Sequence, residues 1–192
     1  MILVPIEKNF SMPVRRGRPP RLFLVLDTET ATLPFVNEWK LSAMDKKKIA
    51  IARPLVYDLG WQIIDAKGEV YSRHSFLIQE TFFVPSVFNT AYYAEKRPKY
   101  LQKLEAGEIT VKTWKEATKI LEEDLARVFA VAAYNAMFDF KKSLTYTDTY
   151  INALYSPYYN DWEKGQKELC KAILAKKENP NKKPFDGENF YL

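Results

Sequence analysis

Only one cysteine, Cys170, occurs among 192 residues, which excludes an intrachain disulfide and any zinc site built from clustered thiolates. Histidine is equally scarce. His74 is the single imidazole, so a mechanism needing a histidine base must use that residue or take its base from elsewhere. No apolar run approaches the roughly 20 residues needed to cross a bilayer. The apolar opening MILVPI is followed by no small-residue cleavage site, and the basic cluster lies behind it instead of ahead. Neither a membrane span nor export is therefore expected, and with the lone cysteine this points to a reducing cytoplasm.

What the chain does contain is enough to fold. With 47% apolar and 15% aromatic residues, it is expected to bury the core of a single domain. The 29 Lys and Arg against 24 Asp and Glu leave a net charge of +5, which permits a polyanionic partner without requiring one. Residues 1–21 read as a basic flexible tail carrying Arg15, Arg16 and Arg18 around Gly17 and Pro19. Its RGRP portion resembles the core of an AT-hook, in which Pro and Gly keep the backbone slim enough to lay arginines in the narrow minor groove of A·T-rich DNA. A solvated basic tail is the alternative reading of the same residues.

The stretch around which the rest is organised is LFLVLDTET, residues 22–30. Its apolar start suits a buried strand and is too short for a helix, and β-branched Val25 supports the extended choice. Side chains of a strand alternate, so Asp27 and Glu29 project to the same side. Carboxylates in this spacing suit magnesium or manganese, ions that stabilise charge on a transferring phosphoryl group. Two solvated acids at a strand end would give the same letters.

Residues 31–53 are expected to leave that strand on the acid side as a loop or short helix, bringing Lys46, Lys47 and Lys48 toward any phosphate held there. Residues 55–64 and 70–78 read as an antiparallel hairpin, with His74 mid-strand as a cross-strand or core histidine. Residues 86–104 look helical but broken at Arg97-Pro98, and their tyrosines and lysines suit a single-strand channel as well as ordinary half-burial. The best helical pattern follows. Trp114, Ala117, Ile120, Leu121, Leu125 and Val128 recur at spacings of three and four, with Thr113 as N-cap and Glu116 completing a capping box. Residues 130–133 read as a central strand, Asn135 as a break and residues 138–144 as a helix start. Asp139 then lies at a strand's carboxyl end, where open α/β sheets bind ligands. Residues 161–176 suit an amphipathic helix.

Taken together, Asp27-Thr28-Glu29 and Asn135-Ala136-Met137-Phe138-Asp139 resemble motifs I and II of the DnaQ-like, or DEDD, 3′-5′ exonucleases, with Tyr134 where that family frequently has His. The resemblance spans about residues 22–144 and looks most like exonucleases encoded by bacteriophages. It implies an α/β fold of the RNase H-like kind, a mixed sheet of antiparallel hairpin plus parallel strand flanked by helices, over residues 22–192. It further implies Asp27, Glu29 and Asp139 as catalytic ligands of two magnesium or manganese ions. Thr28 would contact the terminal nucleotide, with Asn135 and Phe138 supporting the loop beneath it and Arg15, Arg16 and Arg18 as further nucleic-acid contacts. The substrate would be single-stranded DNA and the setting a cytoplasm, the host's for a phage protein.

One part of the family pattern is missing. A third motif, HxxxD or YxxxD, supplies the fourth acid and the general base, yet Asp148, Asp161 and Asp186 have neither His nor Tyr four residues before them. The domain is therefore expected to be incomplete at its C-terminal end and weak or inactive as it stands. Two alternatives remain open: a non-catalytic relative that binds nucleic acid or a partner protein through the surviving cleft, and an unrelated α/β domain whose acids are structural.

Overall fold

The computed structural model describes residues 2–5 and 20–176, so Arg15, Arg16, Arg18 and Asp186 lie outside the described residues. Along the chain run β1 (Ile2–Pro5), β2 (Leu22–Ala31), a 3-10 turn at Pro34–Asn37, α1 (Ala43–Ala52), β3 (Leu55–Asp65) and β4 (Val70–Ile78). The helical turns α2 (Gln79–Phe82) and α3 (Pro85–Phe88) then lead into α4 (Arg97–Glu105) and β5 (Thr110–Lys112). After α5 (Trp114–Leu125) and β6 (Ala130–Ala133), a π-helix at Met137–Ser143 continues into α6 (Leu144–Leu154), and α7 (Tyr159–Ala175) follows.

All the strands join one mixed sheet in the order β1-β6-β2-β3-β4-β5. β2 is interior: it runs antiparallel to β3, with Leu22 opposite Asp65, and parallel to β6, with Phe23 opposite Ala130. This is the arrangement expected for the DTET strand. Its cause is the apolar pattern, since Leu24 and Leu26 of β2 and all four residues of β6 are buried and must be covered on both sides of the sheet. The hairpin between β3 and β4 turns at Gly68, whose φ of 84° is a left-handed conformation that favours glycine. The Asp65 carboxylate fixes that turn by accepting the backbone N–H groups of Lys67 and Glu69.

Helices cover the sheet where the sequence pattern places them. Thr113 caps α5 through a reciprocal pair of bonds with Glu116, as the capping-box spacing requires. Pro98 begins α4 in its first turn, where a missing N–H costs little, so the expected break is a helix start. The Arg97 guanidinium lies 5.2 Å from the ring centres of Phe82 and Phe88, pinning that start to the core.

Two expectations are corrected. Ile2–Pro5, assigned from the sequence to a tail, pairs antiparallel with β6, Ile2 standing opposite Ala133. Without that partner the backbone groups on one side of β6 would form an open sheet edge, and four extended residues are enough to cover it. The helix start at residues 138–144 is a π-helix instead of an α-helix. Among the described residues no helix is long and apolar enough to cross a membrane.

Candidate active site

β2 divides its side chains between two environments. Leu24, Leu26 and Thr28 face the core, while Asp27 is exposed and Glu29 half-buried on the other side. Across the antiparallel ladder Asp27 stands opposite Gly60 and Glu29 opposite Asp58, so β3 contributes a third carboxylate to the same face. The ladder then shifts register between Glu29 and Thr30, an irregularity that re-aims the end of the strand.

Asp139 reaches this region from the turn after β6. The Asn135 carbonyl accepts the N–H groups of Phe138 and Asp139, each at 2.8 Å, which coils the chain as it leaves the strand. The Asp139 carboxylate folds back over that turn. Its Oδ2 accepts the Asn135 N–H at 3.2 Å, and its Oδ1 accepts the Thr28 hydroxyl at 2.8 Å in a buried bond. Asp139 is 6% exposed and Thr28 8%, so the link is shielded from water. Asp139 sits in the π-helix, a distortion found disproportionately at functional sites, while Thr28 lies in the regular ladder of β2.

Charge crowding marks the same place. Burial raises the Glu29 carboxyl above its usual range, and Asp27, Asp58 and Asp139 push the same way against Lys96. Asp58 is pushed up to about 6, chiefly by burial and also by Asp27, although a hydrogen bond from Tyr100 and the charge of Lys103 oppose the shift. Burial likewise raises Asp139, despite the bonds from Thr28 and Asn135 that favour its ionised form. Four carboxylates from β2, β3 and the π-helix thus repel one another, with Tyr100, Lys96 and Lys103 of the α4 region close by. The donors are hard oxygens of the kind magnesium and manganese select. Among the described residues, however, no three His, Cys, Asp or Glu side chains are grouped closely enough to hold a metal ion as they stand.

The expected site residues therefore separate into distinct roles. Asp27, Glu29 and Asp139 come together electrostatically. Thr28, expected at a nucleotide contact, donates its buried hydroxyl to Asp139. The Asn135 side chain accepts the Phe138 N–H at 3.3 Å and shapes the turn, while Phe138 borders a neighbouring cleft. Asp58 was missed. Its only signal was an acid interrupting the apolar run LVYDLGWQII, and its partner on β2 became visible only with the register.

Among the described residues, Asp148, Asp161 and His74 do not join the cluster. Asp148 is engaged by the Trp114 indole N–H at 3.2 Å and by Asn152. Asp161 is exposed on the first turn of α7. His74 is held on β4 between the Trp61 ring, 4.8 Å away, and the buried Asp124 carboxylate at 3.2 Å. Burial and Arg127 lower its pKa, so the imidazole is a structural partner of Asp124. Compared with the known protein families, with curated proteins and with solved structures, the chain matches none.

Proposed function

We propose that the chain is a metal-dependent 3′-5′ exonuclease domain of the DnaQ-like kind, built on an RNase H-like sheet and acting on single-stranded DNA. The observation that carries this reading is the buried bond from Thr28 to Asp139, which joins the acidic segment of β2 to the π-helix that follows its parallel neighbour β6. Asp27, Glu29 and Asp139 would hold the magnesium or manganese. Such ions, when bound, lower the pKa of a water and stabilise charge on the leaving oxygen of a phosphodiester. Thr28 and the Asn135 N–H hold the Asp139 carboxylate in one orientation, sparing the site that reorganisation. Mutual repulsion among Asp27, Glu29, Asp58 and Asp139 favours a cation, and the same charges disfavour bare phosphate.

With His74 committed to Asp124 and no HxxxD or YxxxD after Asp139, the described residues offer no aligned base for the attacking water. Base assistance is commonly worth about 10² to 10⁴ in rate, so turnover is expected to be slow by that factor. The test is a 5′-labelled single-stranded oligonucleotide incubated with Mg²⁺ or Mn²⁺. A slow ladder shortening from the 3′ end, abolished by chelation and by Asp27→Ala, supports the reading. Absence of both metal-dependent binding and shortening refutes it. The missing third motif favours one second reading, a non-catalytic relative, for which metal-dependent binding persists with no ladder at any time.

A further inference from the structure

A cleft of about 550 Å³ opens along α1, its lining including Met44, Lys46, Lys47, Ile51 and Tyr92. Asp27, Glu29, Asp58 and Asp139 take no part in that lining, so the cleft is a surface apart from the acidic site. Met44, Lys47 and Ile51 fall at spacings of three and four, which places them on one face of α1. The core buries Ile49 of this helix, yet Met44 and Ile51 are left 60% and 47% exposed, and Tyr92 83%. Apolar side chains gathered in a groove and left to water mark a docking surface. On the same helix, Lys46 and Lys47 are exposed and have no carboxylate partner among the described residues, whereas Lys48 lies 3.6 Å from Asp45. An occupant that fits is a peptide both apolar and acidic.

The chain carries such a peptide. Residues 184–192, outside the described residues, read PFDGENFYL: Phe185, Phe190, Tyr191 and Leu192 alternate with Asp186 and Glu188, and Lys, Arg and His are absent although the whole protein stands at +5. Helix α7 brings the chain to the right side of the molecule. It packs on α1, where Gln166 accepts the Arg53 Nε–H at 3.1 Å, and its Lys167 Nζ lies 5.4 Å from the ring of Phe35, whose neighbour Val36 lines the cleft. Ala175 ends α7 about 12 Å along the axis beyond Lys167, and the polar spacer 177–183 extends to about 23 Å, so the cleft is within reach. We propose that residues 184–192 dock in this cleft of their own chain, with the aromatic side chains against Met44, Ile51 and Tyr92 and with Asp186 and Glu188 beside Lys46 and Lys47. A short tether holds such a segment at an effective concentration on the order of mM, so a contact of modest affinity is enough to fill the cleft. This contact goes beyond the nuclease reading and holds whether or not the acids bind metal.

The test is disulfide closure in the full chain between Ala43→Cys, in the cleft lining, and Asn189→Cys, scored as an effective molarity against the reaction of each thiol with a small-molecule disulfide. Cys170 is buried and stays out of the exchange. Docking is expected to give an effective molarity about tenfold above the mM value of a tether that binds nothing. Phe185→Ser with Phe190→Ser, added to the same cysteine pair, should return closure to the tether value. Lys46→Glu with Lys47→Glu should lower it about fivefold, and Asp186→Lys with Glu188→Lys in that chain should restore it, a rescue that a mere loss of folding does not permit. An effective molarity that stays near the tether value and is moved by none of these substitutions overturns the docking. Disulfide-linked dimers that form faster than closure in dilute protein would give the cleft to a second copy and overturn it equally.

Discussion

Thr28 and Asp139, separated by 111 positions in sequence, share a buried hydrogen bond of 2.8 Å. A hydroxyl one residue from Asp27 thereby determines where a carboxylate in the π-helix after β6 points. Neither residue needs to touch substrate for the pair to matter, because the bond fixes the distance between two acidic segments that no covalent neighbour connects.

Thr28→Val keeps the shape and removes the donor. The buried Asp139 carboxylate would then lack a partner, and stability is expected to fall by about 1–3 kcal/mol in urea unfolding. Thr28→Ser, which keeps the hydroxyl, should recover most of that loss. Equal stability of the Val variant and the parent would show that the bond contributes nothing.

Asp58 gives a pH-dependent outcome. Its carboxyl rises from an ordinary 3.8 to about 6 on folding, so between those values the folded state binds more protons than the unfolded state. Stability from this group therefore falls as pH climbs through that window. Asp58→Asn removes the penalty and should stabilise the metal-free protein by about 1–3 kcal/mol at pH 8, the gain vanishing near pH 3. Thermal melts across pH in chelator check the sign; a variant less stable at pH 8 would contradict it.

His74 and Asp124 separate structure from catalysis. Asp124 is 1% exposed and accepts from the Trp61 indole at 2.8 Å, from His74 and from Arg127. Asp124→Ala strands the Trp61 and His74 groups and should cost about 1–3 kcal/mol. His74→Asn should lower stability less and leave any metal-dependent nuclease rate within about twofold, since the mechanism assigns it no proton transfer. A loss of about a hundredfold or more with the fold intact would instead identify His74 as the missing base.

Arg15, Arg16 and Arg18 are best tested by replacing them with glutamine. Deleting residues 1–20 also removes β1 and uncovers the edge of β6, so the deletion should promote self-association that rises with concentration in light scattering. The triple Gln variant should stay monodisperse and lose DNA affinity chiefly at low salt. Unchanged affinity at low salt would show that the basic segment takes no part.

Much of the scaffold was legible because it is written in local patterns. Alternation and apolar runs identify β2, β3, β4 and β6, and the Thr113–Glu116 spacing alone specifies the α5 cap. The acids on β2 were legible for the same reason, since period two puts Asp27 and Glu29 on one face. Register is different: nothing in the letters pairs Glu29 with Asp58, so the fourth carboxylate was invisible. Nor does spacing distinguish a π-helix from an α-helix at residues 137–143, because the choice depends on tertiary bonds such as Thr28 to Asp139. Nor does the position of Thr28 in a motif say which way its hydroxyl turns, so its bond to Asp139 was not legible either.

The path of the chain through the sheet also orders events in time. β2 meets β3 after a short excursion, with Ala31 opposite Leu55, but meets β6 only when Phe23 finds Ala130. Closing the longer loop costs about 0.6 kcal/mol more for each doubling of length, and contacts so distant in sequence slow folding. The hairpins can therefore re-form before the segment bearing Asp139 arrives, leaving Asp27 and Glu29 without it. After dilution from denaturant, regain of strand signal should precede regain of divalent-ion binding, and the delay between them measures the docking of β6.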